Sequence, residues 1–350
     1  MMIDVFNHIL PKRYLEERNR RALRRFTGLR SSRYAEAVPT LTNLDIRFKI
    51  MDKYEDYLQV LTIAAPPLEN ITKPKDAVYL AKIANDELAE LVLKYPDRFV
   101  AAIASLPMND VDEALKEIDR AIKELRLRGI QLYTDINGKP LDSAELSPIY
   151  EKMAQYDLPI FIHPRREEIV PDYEGEEGSK YLIWTRLGWP HATSMAMVRI
   201  VCSGILQRFP NLKFVTHHAG GTVPYLITRI KLLDDFNEMR MGYRYDVVLT
   251  KPIDEYLKMF YNDTAVYGNT PSLMCAYAFC GAEHLLFATD MPFDSQIGYR
   301  LVRETIRSIK DMQISEEEKK KIFEDNAKNY CDFPFKPKKQ KGGPVAKWRY

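Results

Sequence analysis

The chain has 350 residues, 46% of them hydrophobic and 29% charged, with a net charge of +2. That length suits two ordinary domains or one large α/β barrel of roughly 250 residues carrying insertions, and the composition is that of an ordinary water-soluble globular chain. The near-balanced charge excludes a nucleic-acid footprint over the whole surface, and no apolar run reaches the ~18 residues of a membrane span.

The four cysteines, Cys202, Cys275, Cys280 and Cys331, contain no CxxC pair. Free thiols in a reducing cytoplasm are therefore expected, with Cys275 and Cys280 as helix-packing residues. The opening residues run straight into an apolar strand without a signal-peptide pattern, which again points to the cytoplasm.

Strand one is predicted over 2–6, with His8 just beyond it and Pro11 as a stop. A polar, arginine-rich insertion follows over about 11–42, and its runs Arg18-Asn19-Arg20-Arg21 and Arg24-Arg25 read mostly as a solvated helix face, with holding an anionic group as the minor alternative. Ile46, Ile50, Met51 and Tyr54 recur at helical spacing over 44–56. Strand two is expected over 57–63 and a long helix over 74–94. Strand three (99–105) precedes a helix that Asn109 or Asp110 can cap. One face of that helix carries Ala114, Leu115, Ile118, Ala121, Ile122 and Leu125.

Strand four is short (129–132). Strand five (159–163) ends on His163. A second insertion, about 164–192, is rich in Glu, Gly, Tyr and Trp. Loops longer than about 15 residues in a compact domain usually carry function. This one holds Trp184, Trp189 and His191 and is expected to form a lid or pocket wall. A helix is expected from 193 to 208, then strand six (213–216), which ends in His217-His218-Ala219-Gly220-Gly221. Strand seven (259–262) and strand eight (285–289) follow, the latter ending in Asp290-Met291-Pro292-Phe293. Helices near 299–310 and 315–329 close the domain. The expected organisation is one barrel domain over 1–332 and a basic tail over 333–350. That tail reads as an extended arm or a disordered segment, with a subunit-swapping arm as the minority reading because Trp348 and Tyr350 are costly to leave in water.

Alternating strands and helices of this kind predict an α/β fold, a (β/α)8 barrel with insertions after strands one and five. His8, His163, His217-His218 and Asp290 all fall at C-terminal strand ends. In a parallel barrel those ends share one rim, where active sites lie. Imidazole and carboxylate together suit Zn²⁺, Mn²⁺ or Fe²⁺. Phe6 and His8 should face the same side, by strand alternation, and Asn7 the other.

Several motifs resemble one family. Ile3-Asp4 through His8-Ile9-Leu10-Pro11 is similar to an IDxHxHxxP opening, and Arg47 with Met51-Asp52 to an RxxxMD helix. Phe161-Ile162-His163-Pro164, Gly188-Trp189-Pro190, His218-Ala219-Gly220-Gly221-Thr222-Val223-Pro224 and Thr289-Asp290-Met291-Pro292-Phe293 continue the match along nearly the whole chain. Together they resemble the amidohydrolase superfamily, in the branch of α-amino-β-carboxymuconate-ε-semialdehyde and γ-resorcylate decarboxylases. The resemblance implies one divalent metal at the rim, zinc before manganese or iron, with His8, His163 and Asp290 as ligands. It implies His218 as acid or base beside the metal, His217 turned away, and a homodimer. Phe6 departs from the family, because it stands where the first ligand belongs and cannot coordinate.

Three functional readings follow. The first is a non-oxidative decarboxylase of an aromatic or unsaturated carboxylic acid. In it Asp290 or His218 delivers a proton, Arg47 pairs with the substrate carboxylate, and Trp184, Trp189, His191, Phe293 and Tyr261 wall the pocket. The second is a metal-dependent hydrolase of a lactone, ester or amide, in which Asp290 takes a proton from water. The third is a metal-free barrel that binds a small acid without catalysis. In all three the partner is a small carboxylic acid or related molecule, with no nucleic acid and no membrane.

Overall fold

The structure is a computed structural model that describes residues 1–23, 37–242 and 247–331. Arg24, Arg25 and the tail with Trp348 and Tyr350 lie outside the described residues.

Eight parallel strands carry the fold: β1 (Met2–Ile9), β2 (Tyr57–Ile63), β3 (Phe99–Ala102), β4 (Ile130–Tyr133), β5 (Ile160–His163), β6 (Phe214–Thr216), β7 (Tyr261–Asp263) and β8 (Leu285–Leu286). Strands β1 to β3 pair in sequence order, as do β4 to β8. A parallel bridge between Ala104 and Ile130 joins the two sets on one side. On the other, the Val5 amide donates to the Phe287 carbonyl at 2.9 Å and the Asp290 amide to the Phe6 carbonyl at 3.1 Å. These bonds close the (β/α)8 barrel. The strands read as nearly unbroken apolar runs because both of their faces are buried, one against the barrel interior and one against helices.

The helices follow the same logic. Pro74–Lys94 starts with a proline at its first position and buries Ala77, Leu80, Ala81, Ala84 and Leu88 along one stripe. Val111–Lys123 is capped by the Asp110 carboxylate, which accepts from the Glu113 amide at 3.1 Å. No helix among the described residues is long and apolar enough to cross a membrane. Cys202, Cys275 and Cys280 are free thiols.

β1 contains a feature that alternation alone does not predict. Asp4 pairs with Gln59 but Asn7 pairs with Leu61, so one extra residue is accommodated between them. Such a bulge re-aims the side chains that follow it. Ile3 faces the barrel interior before it, and the consecutive Val5 and Phe6, both inside the bulge, lie in the same interior cluster. Asp4 is thereby kept away from His8. It accepts from the Thr289 amide (3.1 Å) and hydroxyl (2.6 Å) and ties β1 to the chain that follows β8. The Asn7 amide nitrogen stitches the bulge, donating to the Asp4 carbonyl at 3.1 Å and the Val60 carbonyl at 3.0 Å.

Candidate active site

Three imidazoles and one carboxylate converge at the rim. His8, His163, His217 and Asp290 are all buried. The ligand-capable atoms of His8, His163 and His217 lie within 4.8 Å of one another, as do those of His217, His218 and Asp290.

Each of the three imidazoles has one nitrogen fixed from behind. The Thr62 hydroxyl donates to the Asn7 carbonyl at 2.8 Å, so it is left to accept from His8 Nδ1–H at 3.1 Å. His163 Nδ1 lies 2.7 Å from the Pro164 carbonyl, which can only accept. His217 Nδ1–H donates to Asp263 Oδ2, and Asp263 Oδ1 accepts from the amides of Ala219 (3.1 Å) and Ala265 (3.0 Å). With Nδ1 carrying the hydrogen, Nε2 is the nitrogen each neutral ring offers as a lone pair.

The orphaned atoms show what this arrangement fits. His8 Nε2 is buried without a hydrogen-bond partner, although Asp290 Oδ1 is 3.2 Å away. His217 Nε2 stands 3.3 Å from the same oxygen. Ligands about 2.0–2.1 Å from a tetrahedral zinc are separated by roughly 3.3–3.4 Å. The donor set therefore fits a divalent cation. Burial holds the His8 and His163 imidazoles below their ordinary value, hence neutral. Burial pulls His217 the same way, but the charges of Asp263 and Asp290 outweigh it and raise His217 to about 10, so a cation bound at Nε2 would have to take the place of a proton that faces Asp290 Oδ1. Asp290 is pushed up by burial but held well below the usual carboxylate range by His217, His218 and His8.

The second oxygen of Asp290 belongs to a proton-bearing group. Oδ2 accepts from the Tyr267 hydroxyl at 2.9 Å and lies 3.7 Å from His218 Nε2. The Tyr267 hydroxyl is 3.3 Å from that Nε2, and His218 Nδ1 is buried without a partner. Tyr267, His218, Ala219 and Asp290 all sit at positive φ, between 54° and 57°. Strain of this kind, about 1–2 kcal/mol per residue, persists where the surroundings fix it and gathers at functional sites.

Aromatic rings cover the cluster. Trp189 meets His163 edge-on at 5.5 Å and stacks on His218 at 6.4 Å, and Trp184 packs against Trp189 at 5.4 Å. Phe293 is 5.5 Å from His8, and Tyr133 is 5.0 Å from His163. Tyr133 leads to a second buried polar group. There the Tyr14 hydroxyl, both terminal nitrogens of Arg18, Glu69 Oε1 and Asn70 Oδ1 have no partner within hydrogen-bonding geometry among the described residues, although Tyr14 and Arg18 are close enough to interact. The Arg18 guanidinium lies 6.0 Å over the Tyr14 ring.

Several expectations need correcting. His217 is not turned away. β6 ends at Thr216, so strand alternation does not extend to His217, and the left-handed turn after it lets both imidazoles face the site. Their ring centroids are 4.3 Å apart. Arg47 is not available to a substrate. It is fully buried, and its donors go to Asn7 Oδ1 (2.9 Å), Gln59 Oε1 (2.7 Å), the His8 carbonyl and the Thr40 carbonyl (3.4 Å). His191 is exposed, because the helix Gly188–Cys202 begins before residue 193 and carries His191 outward on its first turn. Arg18 is not on a solvated face, being 2% exposed. Tyr261 does not wall the pocket, since it stacks on Tyr330 at 3.5 Å. Sequence reasoning missed Asp263, Tyr267, Tyr14 and Glu69. Only Asp263 left a signal, a carboxylate at the end of a predicted strand.

Comparison with known proteins agrees with this geometry. Residues 3–329 match the family described as Amidohydrolase. The chain is 29% identical to the 2-amino-3-carboxymuconate-6-semialdehyde decarboxylase of Dictyostelium discoideum, over 93% of this chain and 90% of that one. It is 30% identical to the γ-resorcylate decarboxylase of Polaromonas sp. strain JS666, over 81% and 86% of the two chains. Among solved structures it is similar to the dihydroxybenzoic acid decarboxylase from Polaromonas sp. JS666, which holds manganese and the inhibitor 2-nitroresorcinol. That likeness has a TM-score of 0.78 at 26% identity and covers 95% of this chain and 96% of the other.

Proposed function

The chain belongs to the amidohydrolase family, and from that premise we propose that it is a metal-dependent non-oxidative decarboxylase of an aromatic or unsaturated carboxylic acid. His8, His163 and Asp290 would hold the cation. Zinc suits the nitrogen-rich donor set, and manganese, found in the solved relative, is the other candidate. When bound, such a cation supplies Lewis acidity and a template for the substrate carboxylate or a neighbouring hydroxyl.

The observation that carries the reading is the pairing of His218 with Tyr267 beside Asp290, in a chain similar to decarboxylases along most of its length. In this reading Asp290 is taken up by the cation through Oδ1 and by the Tyr267 hydroxyl through Oδ2. His218 is the remaining proton carrier. Its Nε2 is 3.3 Å from the Tyr267 hydroxyl, and its Nδ1 has no partner. In this reading His218 Nε2–H protonates the carbon that bears the carboxylate. The carbon–carbon bond then breaks, its electron pair restores the conjugated system, and CO2 leaves. His218 is left neutral and regains its proton from water. Trp189 and Phe293 hold the plane of the substrate and exclude bulk water. Arg18, whose terminal nitrogens have no acceptor among the described residues, replaces Arg47 as the group for a second anionic or hydroxyl substituent.

The test is a substrate panel with the protein loaded with Zn²⁺ or Mn²⁺. Release of CO2 from a hydroxybenzoate or a carboxymuconate semialdehyde, abolished by His218→Asn with metal content unchanged, is the expected outcome. Acid production from lactones or esters with no CO2 from any acid would overturn the reading in favour of a hydrolase.

The proposed assembly is a cytoplasmic homodimer. The segment from Val223–Phe236 onward exposes Tyr225, Leu232, Phe236 and Met239 together, an apolar face that a second copy would cover. A mass in solution equal to one chain would refute it.

A further inference from the structure

We propose that His217 supplies the fourth metal-binding atom of this site, in place of the donor that position 6 lacks. The proposal rests on the metal reading above and assigns to one residue a task that the sequence pattern gave to none.

Phe6 points into the barrel and is buried. Its ring stacks on Phe161 at 5.6 Å and lies 5.3 Å from His8 and 5.9 Å from His163. Its shortest ring contact is with His217, at 4.0 Å between centroids. The floor of the cluster is thus a hydrocarbon ring, and the imidazole resting on that ring is His217. From there Nε2 reaches 3.3 Å from Asp290 Oδ1 and falls in one group with the donor atoms of His8 and His163.

The other side of the ring is built for ligation. Nδ1–H is taken by Asp263, and Asp263 is itself fixed by two backbone amides. An imidazole backed by a carboxylate is the usual support of a metal-binding histidine, since it sets the tautomer and makes Nε2 more basic. The backbone then explains how two consecutive histidines serve one site. From His218 to Gly221 the φ angles are 57°, 54°, 76° and 64°. A Cβ at Gly220 would come within 2.6 Å of Asn262 Oδ1, and one at Gly221 within 2.3 Å of the Pro190 carbonyl. The tight turn presents His217 to Oδ1 of Asp290 and His218 to Oδ2. His217 is assigned to the cation and His218 to the proton.

The experiment reads metal rather than turnover. Chelator-stripped full-length protein is titrated with Co²⁺ and Zn²⁺ against a chromophoric chelator. Wild type is expected to take one ion per chain and to show the visible absorption of a four- or five-coordinate Co²⁺ site. Asp263→Asn should weaken binding by about 10–100-fold, the usual cost of losing a ligand's support, and His217→Ala by more, with an altered Co²⁺ spectrum. Phe6→His added to His217→Ala should recover affinity. Wild-type affinity and spectrum in His217→Ala would overturn the proposal while leaving the metal reading intact. If that variant does not fold, unchanged affinity in Asp263→Asn would overturn it equally. A wild-type chain that takes up no metal would sink both the metal reading and this assignment.

Discussion

Arg47 and Arg18 are both buried guanidiniums, and they are in opposite states. Arg47 lies behind the end of β1 with acceptors around its whole fork: Asn7, Gln59, the His8 carbonyl and the Thr40 carbonyl. Burial lowers it to about 10, which leaves it charged at neutral pH. Arg18 lies over the Tyr14 ring, and its two terminal nitrogens meet no carboxylate or carbonyl among the described residues. An unpaired buried charge is costly, and on the proposed function Arg18 would meet that cost by pairing with an anionic substituent of the substrate. Arg47 is framework. It holds the strand end that presents His8, and its charge is spent on the protein itself. Arg18 is held in reserve.

The largest expected effect lies on the framework side. Arg47→Met leaves Asn7 Oδ1, Gln59 Oε1 and the His8 carbonyl without this donor in a dry interior. The loss should be about 3–5 kcal/mol, read as a fall in the urea midpoint at constant slope. A loss under about 1 kcal/mol would erase the distinction between the two arginines, because an arginine that can be removed so cheaply is not framework.

The next effect concerns Glu69, in the same unpaired group as Arg18. Burial pushes its carboxyl from an ordinary 4.5 up to about 7. Between those values the native state binds more protons than the unfolded chain. Stability therefore falls as pH rises through that window, in full supply below 4.5 and gone above 7, by on the order of 3 kcal/mol. Asp4, raised to about 6 mainly by burial, adds its own slope in the same direction. Glu69→Gln should flatten the Glu69 part of the profile and raise stability at pH 8, as measured by urea unfolding at a series of pH values. An unchanged profile would mean that Glu69 already has a charged partner.

Much of this was legible in the sequence. Apolar runs broken by amphipathic stretches gave the barrel, and strand ends gave His8, His163 and Asp290. Local signals sufficed there because period and turn chemistry act over a few residues. The rest was not local. His217 was assigned by extending β6 one residue too far, and only the left-handed turn at His218 reverses that assignment. Arg47 and Arg18 look alike as letters. What separates them is the set of acceptors each finds at long range, such as Asn7 for Arg47, 40 positions away. The bulge in β1 is invisible for the same reason, since it exists only relative to the register of β2.

The smallest effect on stability, and the sharpest on binding, is expected at Arg18. Methionine fills the volume of the arginine stem and removes a charge that has no carboxylate partner among the described residues. Arg18→Met should therefore unfold at the wild-type urea midpoint or slightly above it. Its cost should fall on the substrate. A hydrogen bond from a guanidinium to an anionic group contributes about 1.5–3 kcal/mol, a factor of roughly 10–100. That factor should show in KM with kcat nearly unchanged, because Arg18 holds the substrate and donates no proton. Arg18→Lys should recover part of the affinity, keeping the charge but not the planar fork. If Arg18→Met instead loses stability on the scale of Arg47→Met and leaves KM within twofold, the two arginines are the same kind of residue. The polar end of the substrate must then be sought elsewhere on the rim.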